Sequence, residues 1–584
     1  MHLRWSFAAA LMLLVSPVIA QEAADSVAPE IATGVSERQA VSAPTHMVAA
    51  ANPHATKAGH DVLAAGGNAI DAMVAVQLVL GLVEPQSSGI GGGAFLVYFD
   101  AGENRLTTYD GRETAPMAAT PTLFQTEDGE PMKFFDAVVG GRSVGTPGTL
   151  KLLHDTHAVH GSMEWSELVQ PAIDLARKGF EVSDRLFMQL SNDAERLGLH
   201  EETAEHFLKD DGTPHPSGHV LTNPAYAETL EMVAEQGSDA FYKGPLARKI
   251  VETVKTGNPS NPGLLSLEDL ANYRIKERPP VCLPYRGYDV CGMGPPSSGA
   301  LTVGQILGIL EPFDMASRSP DDPQTWRLIG DASRLAFADR GRYMADIDYV
   351  PMPLEGLLDR AYLDERARLV EPDKVLTPEE VKPGAPSWDH AMLLADDESL
   401  ELPSTSHFSI VDADGNVVSI TTTIENGFGS RLMTGGFLLN NQLTDFSFRS
   451  HRDGVPIANR VEPGKRPRSS MAPTIVMKDG EPYLAIGSPG GSRIIGYVAK
   501  AIIAHLDWGM DVQTAINMPH LVNRFGAYDV EKGTGAEMLG PGLEAIGYEV
   551  TIRDLNSGLH AIHITSSGLT GGADPRREGT VMGD

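Results

Sequence analysis

Cysteine is nearly absent from this chain: its 584 residues include only Cys282 and Cys291. No cysteine cluster with metal-ligand spacing is available, and no HExxH segment occurs. Basic residues are scarce beside acidic ones, 46 against 77, giving a formal net charge of −31. So acidic a chain repels phosphate backbones and anionic lipid, which argues against nucleic acid as a partner. No internal repeat is found. No GxGxxG fingerprint occurs, so a dinucleotide site is not expected. Beyond the N-terminus no apolar run is long enough to span a bilayer. The richest, Ala69 to Val83, contains Asp71 and Gln77 and reads as a buried helix.

What is present is ordinary globular composition, 42% hydrophobic and 21% charged, with ample length for a large core. The first five residues carry Arg4 and His2, and Ser6 to Val18 is almost wholly apolar. Val18-Ile19-Ala20 then offers a small-residue cleavage site before Gln21, so residues 1–20 read as a signal peptide. Export to the periplasm, with no membrane association once the signal is removed, is the expectation. Export also permits a disulfide. Cys282 and Cys291 flank a segment centred on Arg286-Gly287, and in a hairpin they would face each other. Two unpaired thiols are the alternative, because Pro284 disturbs the first strand.

Residues 21–45 read as a polar, unstructured lead-in. A helix from His54 to Ala65 stops at Gly66-Gly67, and Asn68 caps the next helix with Asp71 at its third position. Residues 150–275 are mainly helical in pattern. Asp396 to Glu401 is acidic and unpatterned, which predicts an exposed loop. Beyond it the period becomes two: a strand from Thr405 to Val411, a turn at Asp412 to Asn416, and a returning strand from Val417 to Ile424. Strands and helices then mix without a βαβ repeat. An α+β fold of layered antiparallel sheets with helices outside is expected.

The hairpin carries the first chemistry. Pairing Val411 with Val417 sets Ser409 opposite Ser419, His407 opposite Thr421 and Thr405 opposite Thr423, the last two on one face. Threonine is a weak nucleophile without a base. Cleavage between Ser404 and Thr405 would free an α-amino group on the same residue to serve as that base. Gly487-Ser488-Pro489-Gly490-Gly491-Ser492, between a strand and a helix pattern, would let backbone N–H groups approach an oxyanion. Arg112 could clamp a carboxylate, Ser469 and Ser470 could add donors, and Gln442 and Asp445 could accept from an ammonium. Two other patterns are set aside. Gly141-Arg142-Ser143-Val144-Gly145 fits GxSxG, but Thr146-Pro147-Gly148 separates it from the following helix. His154, His157 and His160 drift around a helix rather than converging on a metal.

Together these segments resemble the γ-glutamyltranspeptidase family from about Met47 to Gly579. The motifs include Asn52-Pro53-His54-Ala55-Thr56, Ser88-Gly89-Ile90-Gly91-Gly92-Gly93, Arg112-Glu113-Thr114-Ala115-Pro116 and Pro295-Pro296-Ser297-Ser298-Gly299. The most specific, Thr405-Ser406-His407-Phe408-Ser409-Ile410-Val411-Asp412, stands where the family's precursor is cut. The resemblance implies an Ntn-hydrolase four-layer αββα sandwich, cleaved into an intertwined large subunit, 21–404, and small subunit, 405–584. It implies Thr405 as nucleophile, Thr423 as its neighbour and Gly490 with Gly491 as oxyanion hole. Arg112, Ser469 and Ser470 would hold the α-carboxylate, and Gln442 and Asp445 the α-amino group, of a γ-glutamyl donor. The acceptor would be water or an amino acid, with neither metal nor organic cofactor. The alternatives are a glutaryl-amide acylase and an unprocessed binding homologue. Two departures stand out: Glu425 replaces the usual Asn, two residues beyond Thr423 and expected on the same strand face, and Arg468 adds a charge before the serine pair.

Overall fold

A computed structural model of the uncleaved chain describes residues 27–370, 374–390, 392–397 and 399–584. The expected signal segment lies outside the described residues. Two seven-stranded sheets organise the molecule. The first runs in the order Thr580–Gly583, Met47–Ala50, Ser406–Val411, Val417–Thr423, Gly93–Asp100, Arg105–Gly111 and Lys276–Arg278. The second runs Val41–Ala43, Gly568–Ala573, His560–Thr565, Glu481–Gly487, Thr474–Lys478, Tyr288–Gly292 and Val281–Tyr285. All neighbours within both sheets are antiparallel.

Side-chain alternation builds the layers. In the central hairpin Phe408, Ile410, Val418 and Ile420 face one way, into a core shared with helices Pro53–Ala64, Ala69–Val83, Trp165–Lys178 and Pro224–Gln236. Val411 and Val417 face the other way and meet Ile475, Ala485 and Ile562 between the sheets. Helices Gly299–Leu310, Pro323–Tyr343 and Ile494–Leu506 share a third core with the second sheet. The order is therefore helix, sheet, sheet, helix. Ala69–Val83 is buried along its whole length, as a helix apolar on every side must be, and Asn68 with Asp71 forms its capping box.

Residues 27–45 do not form a loose lead-in. Val41–Ala43 pairs with Gly568–Ala573, and Glu30 bonds Arg185 Nε at 2.5 Å and Arg577 Nη2 at 2.7 Å. Two distant guanidiniums compensate this buried carboxylate, and nothing in the local sequence announces them. Arg286 (φ 53°) and Gly287 (φ 79°) turn the hairpin in which Cys282 and Cys291 are paired and joined as a disulfide. Pro284 is tolerated because Val281–Tyr285 is the sheet's edge strand.

Candidate active site

The central hairpin pairs Val411 with Val417, Ser409 with Ser419 and His407 with Thr421. Its paired register ends at Ser406 and Thr422, so Thr405 stands just outside the strand. Thr405 has φ +122°, a region that a β-branched residue rarely enters, at a cost of about 1–3 kcal/mol. Its Oγ1 donates to Thr423 Oγ1 at 3.2 Å, and the Glu425 N–H donates to the same oxygen at 2.9 Å. The Thr405 carbonyl accepts from Arg577 Nη1 at 3.3 Å, and Ser404 Oγ donates to the Gln86 carbonyl at 2.9 Å. The strained residue is thus gripped on both sides of the Ser404–Thr405 peptide.

Towards the open end of the hairpin the space between the sheets turns from apolar to polar. His407 Nδ1 lies 2.9 Å from Thr421 Oγ1, and Nε2 lies 3.1 Å from Ser409 Oγ. Burial, with His560 nearby, holds this imidazole well below its usual range, so it stays neutral. A Cβ at Gly487 would come within 2.3 Å of the His407 ring, so only glycine allows the sheets this approach.

One narrow cavity brings most of the expected residues together. Thr405 and Thr423 line it with Arg112, Gln442, Asp445, Ser469 and Ser470, and Glu401, Glu425 and Gly491 complete the walls. Arg112 is not a free clamp. Its Nη2 donates to Asp445 Oδ2 and, at 2.7 Å, to the Arg468 carbonyl, and its Nε donates to the Pro467 carbonyl at 3.2 Å. Gln442 Nε2 donates to the same Asp445 oxygen at 2.7 Å across a short 3-10 turn. Burial pushes the Asp445 carboxyl up to about 6; Arg112 opposes the shift and Glu401 adds to it. Glu425 does not share a strand face with Thr423, because the strand ends at Thr423 and Glu425 has φ +78°. The reversed backbone still brings its carboxylate to Asn441 Nδ2 and the Leu402 N–H. Burial, and next the neighbouring Asp445, raise the Glu425 carboxyl well above the usual range.

Gly490 (φ 136°) and Gly491 (φ 59°) open the turn that leads into helix Ile494–Leu506. A Cβ at Gly491 would lie 2.8 Å from the Leu402 carbonyl, so the backbone there reaches the chain just ahead of Thr405. Ser469 anchors the wall: its carbonyl accepts from the Ser298 N–H at 2.8 Å and its Oγ from the Met471 N–H at 3.1 Å. Ser470 Oγ donates to Glu401 Oε2 and accepts from Arg340 Nη2 at 2.7 Å. The predicted exposed loop is corrected here: Glu401 is buried and the half-buried Asp397 has its side chain covered, the two ion-paired to Arg340 and Arg468. Glu401 and Arg340 were not picked out from the sequence. Their only signal there is an acidic residue four places ahead of the threonine.

The patterns set aside stay outside the site. Ser143 Oγ donates to the Val138 carbonyl at 2.7 Å and lacks a base. His157 bonds the Met163 carbonyl and His160 the Tyr109 hydroxyl, in different directions from helix Thr149–His160.

An αββα sandwich with a threonine at the mouth of its central hairpin defines an N-terminal-nucleophile hydrolase. Residues 55–584 match the family described as gamma-glutamyltranspeptidase. The chain is 38% identical over 583 residues to the glutathione hydrolase proenzyme of Escherichia coli strain K12, covering 97% of each. It is 37% identical over 550 residues to that of Bacillus subtilis strain 168, covering 92% of this chain and 91% of the relative. A crystal structure of cephalosporin acylase from Bacillus halodurans matches with a TM-score of 0.80 at 26% identity, covering 95% of this chain and 99% of that one. The chain belongs to the γ-glutamyltranspeptidase family and is an enzyme. No helix among the described residues is long and apolar enough to cross a membrane.

Proposed function

We propose that this chain is a self-cleaving γ-glutamyl amidohydrolase and transpeptidase of glutathione-like donors, exported to the periplasm and cut between Ser404 and Thr405. The observation that carries this reading is the strained Thr405, bonded to Thr423, in one cavity with Asp445, Glu425 and Ser470. Cleavage gives Thr405 a free α-amino group, which takes the proton from Oγ1 as that oxygen attacks the γ-carbonyl carbon. The N–H groups at Gly490 and Gly491, at a helix start, stabilise the oxyanion. The amide C–N bond breaks, the amine leaves with the proton, and an ester on Oγ1 remains. Water or an amino-acid amine then attacks the ester and restores the threonine. Glu425 and Asp445 attract the donor's α-ammonium, and the Ser469–Ser470 side receives its carboxylate.

The second reading is an acylase of glutaryl amides, favoured by the likeness to the cephalosporin acylase. Glutaryl and γ-glutamyl groups differ only in the α-ammonium, so the ratio of kcat/KM for the two p-nitroanilides decides between them. We expect the γ-glutamyl compound to be preferred; a preference for glutaryl would overturn the glutamyl reading.

Two expected results follow from the carboxylate pair. A bound ammonium beside Glu425 draws it into its ionised form; Glu425→Gln keeps a neutral hydrogen bond and loses that charge, so the glutamyl-to-glutaryl ratio should fall about fivefold, the gap of ~1 kcal/mol between charged and neutral hydrogen bonds. An unchanged ratio would show that Glu425 does not sense the head group. Acid should act in the same direction. As pH falls through about 6, Asp445 gains a proton and ceases to attract the ammonium, so the ratio should fall below that pH. Titration of the Thr405 amine affects both donors alike and cancels in the ratio. A ratio flat from pH 5 to pH 8 would contradict this assignment.

A further inference from the structure

The turn end of the central hairpin, opposite Thr405, carries a cluster that the proposed reaction does not use. The register sets Met47 beside Val411 and Gly583 beside Met47, so the residues flanking Met47 and Gly583 stand at that end. The strand Ser406–Val411 separates them from Thr405, about 20 Å at the usual rise per residue. Among the described residues one group of three side chains able to ligate a metal converges, and it lies here. His46, His60 and Asp584 each offer one atom, and these atoms all lie within 4.8 Å of one another.

The backbone sets the three in place. The Thr45 and His46 N–H groups donate to the Asp584 carbonyl at 3.0 and 3.1 Å, and the Asp584 N–H donates to the His46 carbonyl at 3.2 Å. His60 arrives from helix Pro53–Ala64. Thr56, one turn earlier on the same face, shares a hydroxyl hydrogen bond with Thr580 at 3.0 Å, so that face lies along strand Thr580–Gly583. His60 Nε2 stands 3.0 Å from Asp584 Oδ2, and its Nδ1 faces Asp61 Oδ1 at 4.0 Å. The His46 and His60 ring centroids are 5.5 Å apart. His46 Nδ1 stands 3.3 Å from Thr45 Oγ1, whereas its Nε2 is buried without a hydrogen-bond partner among the described residues. A buried polar atom without a partner calls for an explanation, and a bound cation supplies one.

The donor set selects the ion. Two imidazoles and a carboxylate suit zinc and its divalent neighbours, whereas calcium and magnesium take oxygen ligands. Ligand atoms around a tetrahedral zinc stand about 3.4 Å apart, from bonds of about 2.0–2.1 Å. His60 and Asp584 already approach that spacing. The Asp584 side chain is exposed and His60 half-buried, so small side-chain rotations close the remainder and water completes the shell. The Asp61 carboxylate stands behind His60, where an outer carboxylate orients a ligating ring. The net charge of −31 draws cations to the surface.

We propose that His46, His60 and Asp584 bind one divalent cation of the zinc class, which clips the strand Met47–Ala50 and helix Pro53–Ala64 to the end of strand Thr580–Gly583. His46 and His60 precede Ser404 and Asp584 follows it, so after the proposed cleavage the ion would join the two fragments. Binding of the ion does not itself depend on that cleavage.

Calorimetric titration of zinc into the metal-free protein should show one site per chain. His60→Ala should abolish it, and Asp584→Asn should weaken it at least about tenfold, since loss even of an outer partner costs that much. Cobalt in place of zinc should give the visible bands of a tetrahedral site in the wild type and lose them in His60→Ala. In urea, zinc should raise the midpoint for release of the small fragment from the processed enzyme relative to EDTA, and leave that of His60→Ala unchanged. In EDTA, His60→Ala should hydrolyse γ-glutamyl p-nitroanilide as the wild type does, because the cluster is remote from Thr405; this also shows that the variant folds. Equal zinc binding by the wild type and both variants would mean an adventitious ion only and overturn the site, as would no binding by the wild type. A chain that is never cut would overturn the cleavage reading and leave the calorimetry to decide the site.

Discussion

Thr405→Ala should give one uncleaved chain and lower turnover at least about 10³-fold. The expectation rests on two roles of one side chain. In the proposed mechanism its Oγ1 attacks the Ser404 carbonyl during cleavage and the donor carbonyl during turnover. Its backbone, at φ +122°, stores strain at the bond to be cut. A residue with no preceding carbonyl has no such φ restriction, so cleavage releases the strain and favours the forward direction. Alanine keeps the strain and loses the nucleophile, which separates the two contributions. Thr405→Ser keeps the hydroxyl and should still be cut. A denaturing gel and N-terminal sequencing of the small fragment are the measurements. A small fragment beginning at any residue other than Thr405 would remove this assignment.

Arg112→Ala should raise KM for γ-glutamyl donors roughly ten- to a hundredfold, the worth of a charged hydrogen bond. The structure changes the reason for that expectation. Arg112 holds Asp445 and the backbone of Pro467 and Arg468 in place, and in the proposed function it would act on the donor through them. Without it Asp445 is a buried carboxylate lacking its counter-ion, and the carboxyl rises further above its present value of about 6. At neutral pH the ammonium then loses an ionised acceptor. Stability should fall as well, by about 3–5 kcal/mol for a broken buried pair. Arg112→Lys should rescue little, because an ammonium lacks the planar fork that reaches the carboxylate and two carbonyls. An unchanged KM would exclude Arg112 from the pocket's chemistry.

The central hairpin was legible in the sequence because its turn is short and its flanks alternate. Asp412 to Asn416 fixes the loop, and a fixed loop sets every pair from Val411 outward. The spacing of Thr405 and Thr423 follows from that register. Two inner strands, each one place in from a sheet edge, were not legible. Met47–Ala50 is buried throughout and so does not alternate, while Gly568–Ala573 holds three glycines that pack as strand only because neighbours exist on both sides. Glu401 was misread for a related reason. An acidic run implies water unless cations are supplied, and Arg340 and Arg468 are supplied by remote segments that only the tertiary fold brings in. The residues proposed for the head group were named through family likeness, and they line one cavity; no local pattern in the sequence pairs Arg112 with Asp445. Glu425 was expected in the right region by the wrong geometry, since a positive φ cannot be read from a glutamate.

The two sheets interleave what lies before and after Ser404. Met47–Ala50 is seated between Ser406–Val411 and Thr580–Gly583, Gly93–Asp100 pairs with Val417–Thr423, and Val41–Ala43 pairs with Gly568–Ala573. The proposed cut at Ser404–Thr405 would therefore create two chain ends and leave these seams paired. The order of events matters for recovery from denaturant. The continuous chain assembles these seams within one molecule, where each strand sees its partner at the high local concentration set by the tether. Two separated fragments must find each other in solution, so their reassembly rate depends on protein concentration and competes with aggregation. The proposed cleavage would thus turn a protein whose native state is reached by equilibrium folding into one that persists because unfolding is slow.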